Sequence, residues 1–234
     1  MNLISRISAA MKFAATGKLS ATAFEGAMHQ RRLVSWRATQ ENINSLLSAG
    51  GDTLRARARQ IVRSNPYAAN AADSFVANAV GAGITPSSLV QDTSLKDQIQ
   101  QAWLNWTDSA DADGLTDFYG LQALAARAMF EAGECFIRFR PRRPEDGLDV
   151  PLQLQLLEAE HLPLNKTETA INGNAIRCGI EFDAIGRRVA YYFYRSHPGD
   201  GTDRNNKGEI VRVPASEVLH LYRPQRPGQI RGVP

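Results

Sequence analysis

The chain is poor in the residues that build metal centres and disulfide frameworks: its 234 residues include two cysteines and four histidines. Cys135 and Cys178 have no CxxC spacing, and each sits among strand-like residues, which reads as two buried reduced thiols, with a disulfide as the alternative. His29, His161, His197 and His220 lie far apart in sequence without a partner at ligand spacing, so no metal site is expected. No apolar run approaches the roughly 18 residues a membrane helix needs, which excludes such a helix. The opening MNLISRISAA has one early Arg but no continuous apolar core, and export is not expected. No Gly-Lys-Ser/Thr occurs, and Gly81-Ala-Gly83 follows a helical pattern where a dinucleotide fingerprint needs a strand. Nucleotide binding, internal repeats and low-complexity segments are all without support, and nothing implies a cofactor.

What is present suits a folded domain. A chain of this length buries about 70% of its unfolded surface, and 43% hydrophobic with 22% charged residues is an ordinary soluble composition. The net charge of +3 conceals an asymmetry. Residues 1–66 carry ten basic and three acidic side chains, residues 67–120 one and seven, and residues 121–234 sixteen and fourteen. A basic segment beside an acidic one suits either pairing between copies or contact with nucleic acid.

The period of the apolar residues divides the chain in three. Residues 1–50 read as an arm with short helices around 3–13 and 36–47. Residues 51–133 read as helical. Leu54, Ala58, Ile61 and Val62 share one arc of the first helix, read as its core side, while Arg55, Arg59 and Arg63 form an adjacent cationic arc. Asn65-Pro66 supplies an N-cap and a first-turn proline for the next helix, which presents Ala68, Ala72, Phe75, Val76 and Ala79 and ends at the glycines 81 and 83. Leu95, Ile99, Ala102, Trp103 and Trp106 mark a third helix; Leu121, Ala125, Ala128 and Met129 mark a fourth.

After Gly133 the period becomes 2, so residues 134–234 read as a β-rich region and the chain as α+β, its strands mostly antiparallel. Strands are predicted over 135–140, 152–156, 176–182 and 188–194, with a hairpin turn at 183–186. The strand over 188–194 is apolar or aromatic on both faces, so it is either central or set against another subunit. Residues 197–208 read as a mobile polar loop, followed by strands near 210–213 and 218–222 with a helical turn between them.

Candidate chemistry is sparse. Glu131 with Glu134, or Glu158 with Glu160, could form an acid/base pair, but no cleft is signalled, and the reading is solvated or ion-paired acids. Cys135 and His161 could form a nucleophile and base, yet Cys135 alternates in phase with Ile137 and Phe139 and so points into a core. No catalytic residue is assigned. Arg55, Arg59 and Arg63 remain open between a solvated face, a subunit contact and a phosphate-tracking ridge.

Three groups of motifs carry a resemblance. They are LRARARQIVRSNPY (54–67) with FVANAVGAGI (75–84); FYGLQ (118–122) with EAGECFIRFR (131–140) and LQLQLLE (152–158); and GIEFDAIGRRVAY (179–191) with VPASEVLH (213–220) and RPGQIRGVP (226–234). In this order the chain resembles the lambda-like family of bacteriophage portal proteins, as an amino-terminal portion containing the wing-like region and lacking most channel helices. The resemblance implies a cyclic homo-oligomer, commonly dodecameric, at one capsid vertex of the virion, present in the host bacterial cytoplasm before assembly. It implies partners: terminase, capsid and scaffold proteins, a head-tail connector, and double-stranded DNA passing through the channel, with no membrane. It implies no enzyme activity. The alternative is a monomeric basic nucleic-acid-binding protein, and a third reading is a hydrolase using Cys135 or the glutamates.

Overall fold

The computed structural model describes residues 3–16, 39–202 and 208–234. Its contacts divide into two units, residues Met1–Glu41 and Asn42–Pro234. The first contains helix α1 (Leu3–Thr16), which leaves Leu3, Ile4, Ile7 and Met11 exposed. Trp36, where a second arm helix was expected to start, lies outside the described residues, as do residues 203–207 of the expected mobile loop.

The second unit begins with α2 (Ile43–Ser64), capped by the Asn42 side chain. This helix runs unbroken through Gly50 and Gly51, where the arm was expected to end. Gly51 lets the helix lie close to the loop that carries Leu164: a Cβ would stand 2.6 Å from a methyl of Leu164, whose side chain would have to shift. Asn65 caps α3 (Pro66–Ala79) as its sequence requires, accepting from the N–H groups of Tyr67 and Ala68 at 2.9 and 3.4 Å. Helix α4 (Thr93–Ser109) and helix α5 (Phe118–Ala132) complete the helical part, each with an aspartate N-cap. No described helix is long and apolar enough to cross a membrane.

Gly133, left-handed at φ 80°, ends α5 and turns the chain directly into β1 (Glu134–Pro141). β1 is the middle of an antiparallel three-stranded sheet, between β2 (Leu152–Glu158) and β8 (Val218–Tyr222). A second antiparallel sheet runs in chain order through β3 (Glu168–Thr169), β4 (Ala175–Arg177), β5 (Ile180–Phe182), β6 (Arg188–Tyr194) and β7 (Ile210–Pro214). The architecture is α+β, as the change of period predicts.

One difference from the sequence reading has a local cause. Residues 176–182 are two strands: Cys178 and Gly179 both adopt positive φ, 50° and 81°, and form a two-residue hairpin turn inside the apolar run. Alternation passes through such a turn unmarked. β6 is flanked by β5 and β7 and so is interior to its sheet; Tyr191 and Phe193 are buried, whereas Tyr192 and Tyr194 are half-buried. The chain then leaves the second sheet after β7, makes a helical turn at Ala215–Glu217, and adds β8 to the first sheet.

β1 faces two cores. Phe136 points into a cluster with Leu162, Ile180, Tyr191 and Phe193, whereas Ile137 and Phe139 pack against a second cluster of Trp106, Ala110, Leu121 and Leu154 under α4 and α5. That double coverage explains why Cys135, Phe136 and Ile137 are apolar in succession instead of alternating with polar residues.

Candidate functional site

Glu134 is the first residue of β1 and is fully buried. An isolated carboxylate there would be strongly destabilised, and the fold surrounds it with donors. Arg55 of α2 donates from Nη2 to Oε1 at 2.6 Å. Arg231 donates from Nε at 2.8 and 3.1 Å to the two oxygens, and its Nη2 lies 2.7 Å from Oε1. The Gly232 N–H donates at 2.7 Å, and His220 Nε2 of β8 lies 2.9 Å from Oε2. His220 therefore carries its proton on Nε2, with its ring tilted over Phe136 and Tyr222, both 4.4 Å away between centroids.

Arg231 is also wholly enclosed. Beyond Glu134 it donates to the carbonyls of Cys178 (2.7 Å), Leu162 (2.9 Å) and Ala159 (3.2 Å), so one guanidinium joins β1 to the β4–β5 turn and to the loop after β2. Local bonds hold it in place. The Gln229 side chain accepts from Gln225 N–H and donates to the Arg231 carbonyl, while Asn44 of α2 donates to the Gly228 carbonyl and accepts from Ile230 N–H. The final segment thus passes through the interior, its Gly232 backbone packed against that of Gly133.

Charge within this cluster is unbalanced. Burial alone would raise the Glu134 pKa, but the charge of Arg231 and the bonds from His220 and Arg231 overcome it and hold the carboxyl far below its usual range. Burial lowers the His220 pKa, against the pull of Glu134, and so favours the neutral ring. Burial also lowers the pKa of Arg55, which has Asp52 as a second, exposed partner at 3.3 Å. One anion therefore faces two guanidinium cations.

The arginine arc of α2 does not form an outward cationic ridge. Arg55 is an interior residue. Arg59 is half-buried, bidentate to Glu160 at 2.7 and 3.0 Å and 3.3 Å from Glu158. Arg63 is exposed. Conversely Leu54 and Ile61, read as the core side, are exposed. A wheel of one helix ranks polarity but cannot register that the body beneath presents Glu134, Glu158 and Glu160, which draw the arginines inward.

Those glutamates are ion-paired, in keeping with the bland reading of the carboxylates, and Glu131 pairs with Arg127 at 2.7 Å. His197 Nε2 lies 3.2 Å from Glu158, and its ring centre is 5.3 Å from that of His161. Glu158, Glu160 and His197 have ligand atoms within 4.8 Å of one another, a set able to hold a metal. The sequence separates these residues; the end of β2 and the loop after β6 bring them together. In this structure Arg59 is the cation that neutralises the carboxylates. Cys135 is a poor nucleophile candidate, since burial and then the Glu134 charge push its thiol up to about 12.

Residues 29–234 match the family described as phage portal protein, lambda family. The chain belongs to that family. Among curated relatives it is similar to a probable portal protein of Halomonas phage phiHAP-1, 29% identical over 220 residues, covering 89% of this chain and 42% of the relative. This portal-family chain thus spans less than half the length of that relative. The three groups of motifs that carry the resemblance converge at Glu134: Arg55 comes from the first, Glu134 from the second and Arg231 from the third. Sequence reading missed both Glu134 and Arg231 as a pair. The available signal was a charged residue opening an apolar strand directly after a left-handed glycine.

Proposed function

We propose that this chain is the wall segment of a portal ring, a cyclic homo-oligomer of about twelve copies at one capsid vertex through which DNA is packaged and later ejected. In this reading terminase docks on the ring and supplies ATP hydrolysis, capsid and scaffold proteins surround it, and a head-tail connector binds once the head is full. The subunit waits in the host cytoplasm and ends in the virion. The observation that carries the proposal is the convergence of Arg55, Glu134 and Arg231 from three distant segments in one buried cluster. Polar capacity is spent on rigidity, which suits a protein whose work is done by shape and copy number.

Electrostatics support a conduit over a clamp. Each inward cation would be repeated around the ring, and each neutralised phosphate adds binding free energy through counterion release, which would brake sliding DNA. Arg55 and Arg59 are engaged within the chain, and Arg63 is the one of the three left facing solvent as a subunit or DNA contact.

Mass measurement and negative-stain imaging of the full-length reading frame test the reading. Closed rings are expected. A monomer whose DNA affinity falls steeply with salt would favour the nucleic-acid-binding alternative and overturn it.

A further inference from the structure

Two apolar strips lie on the outer surface of the second unit. On α2, Leu46, Leu54 and Ile61 share a face and are 37%, 47% and 55% exposed; Arg57 lies among them and makes no ion pair among the described residues. On α4, Leu95 and Ile99 are 45% and 41% exposed although they share the face of Trp103 and Trp106, which the body covers. Single exposed leucines are ordinary. A helix whose own core face is covered over its last turns and open over its first two is different, because the open half has the composition of an interior. Asp92 caps this helix at its open end, where Lys96 and Asp97 are the other charged residues.

We propose that the α2 strip of one copy docks on the open α4 face of the next, with Arg57 meeting Asp92. The inference rests on the portal reading and names the surfaces that reading leaves open. Because two different surfaces meet, the contact propagates from copy to copy and forms a ring when the rotation between copies closes, where a self-complementary patch would stop at a dimer. The opposite charges favour this pairing and disfavour like strips meeting. Burying the apolar residues of both strips supplies the non-directional part of the affinity.

Cysteine pairing tests the contact. In full-length protein carrying Leu54→Cys and Ile99→Cys, mild oxidation should produce a ladder of covalent multimers, with neither single variant doing so; the native thiols are buried and do not compete. Rings by imaging without a ladder would overturn the docking and leave the ring intact as a reading. A monomeric wild-type mass would overturn both. A cross-link confined within one chain would overturn the docking, since the two faces would then meet in cis. Arg57→Glu, and Asp92→Asn, which keeps the cap acceptor, should each weaken assembly about tenfold at low salt, with the loss shrinking as salt rises. Unchanged assembly by both variants rejects the Arg57–Asp92 pairing.

Discussion

Arg231 shares its one Nε–H between the two oxygens of Glu134, at 2.8 and 3.1 Å, across 97 residues of sequence and with both side chains fully buried. The pair closes the body of the fold, because β1, the β4–β5 turn, the loop after β2 and the final segment all meet on these two groups. Its contribution is asymmetric, since removing one charge strands the other.

Glu134→Gln should therefore lower unfolding free energy by about 3–5 kcal/mol, as two buried guanidinium groups lose their counter-charge. Arg55→Met should cost distinctly less, because it leaves the neutral Glu134–Arg231 pair. Urea denaturation of the two variants checks the order. An equal or larger loss for Arg55→Met would refute the charge assignment.

Acid should destabilise the protein in two stages. Above about pH 7 His220 is neutral whether folded or unfolded and contributes nothing. As pH falls below about 6.5 the unfolded chain binds a proton that the folded ring resists, so stability declines. His161, whose pKa is also lowered by burial and by the neighbouring His197, acts in the same direction. Below about pH 4.5 the unfolded chain protonates Glu134 while the folded one does not, and the contribution of the Glu134 carboxylate is lost in turn. His220→Gln, which retains a donor toward Glu134, should remove roughly half of the loss between pH 7 and 5, one of two linked protons. An unchanged slope in urea midpoints across that window would exclude His220.

Gly133 should be far less tolerant than another left-handed glycine. Gly133→Ala places a Cβ against the backbone of Val233 and Pro234, whereas Gly114, at φ 67°, has open space around it. Gly114→Ala should cost about 1–2 kcal/mol from φ alone, and Gly133→Ala clearly more, with the loss of the final segment's packing. Thermal melts of the two variants measure the difference.

Both thiols should be silent in the folded protein. Cys135 and Cys178 are unpaired and buried, and burial raises the pKa of each. A thiol reagent at pH 8 should titrate neither within minutes and two per chain in denaturant. Rapid modification of the native protein would show that the site opens.

Secondary structure was largely legible from local chemistry: the Asn65-Pro66 cap, the switch of period after Gly133 and the 183–186 turn each act within a few residues. The turn at Cys178–Gly179 was hidden, because a two-residue hairpin preserves alternation on both sides of itself.

The amino-acid sequence by itself determined where helices give way to strands, the apolar positions of β1, β2 and β6, and the portal family, since these depend on short-range spacing and on ordered motifs. Only the tertiary structure decided which side of α2 faces inward, that Glu134 is an interior anion, and that Arg231 completes it. Burying a charge is favourable only when its partners are in place, and those partners lie 79 and 97 residues away along the chain.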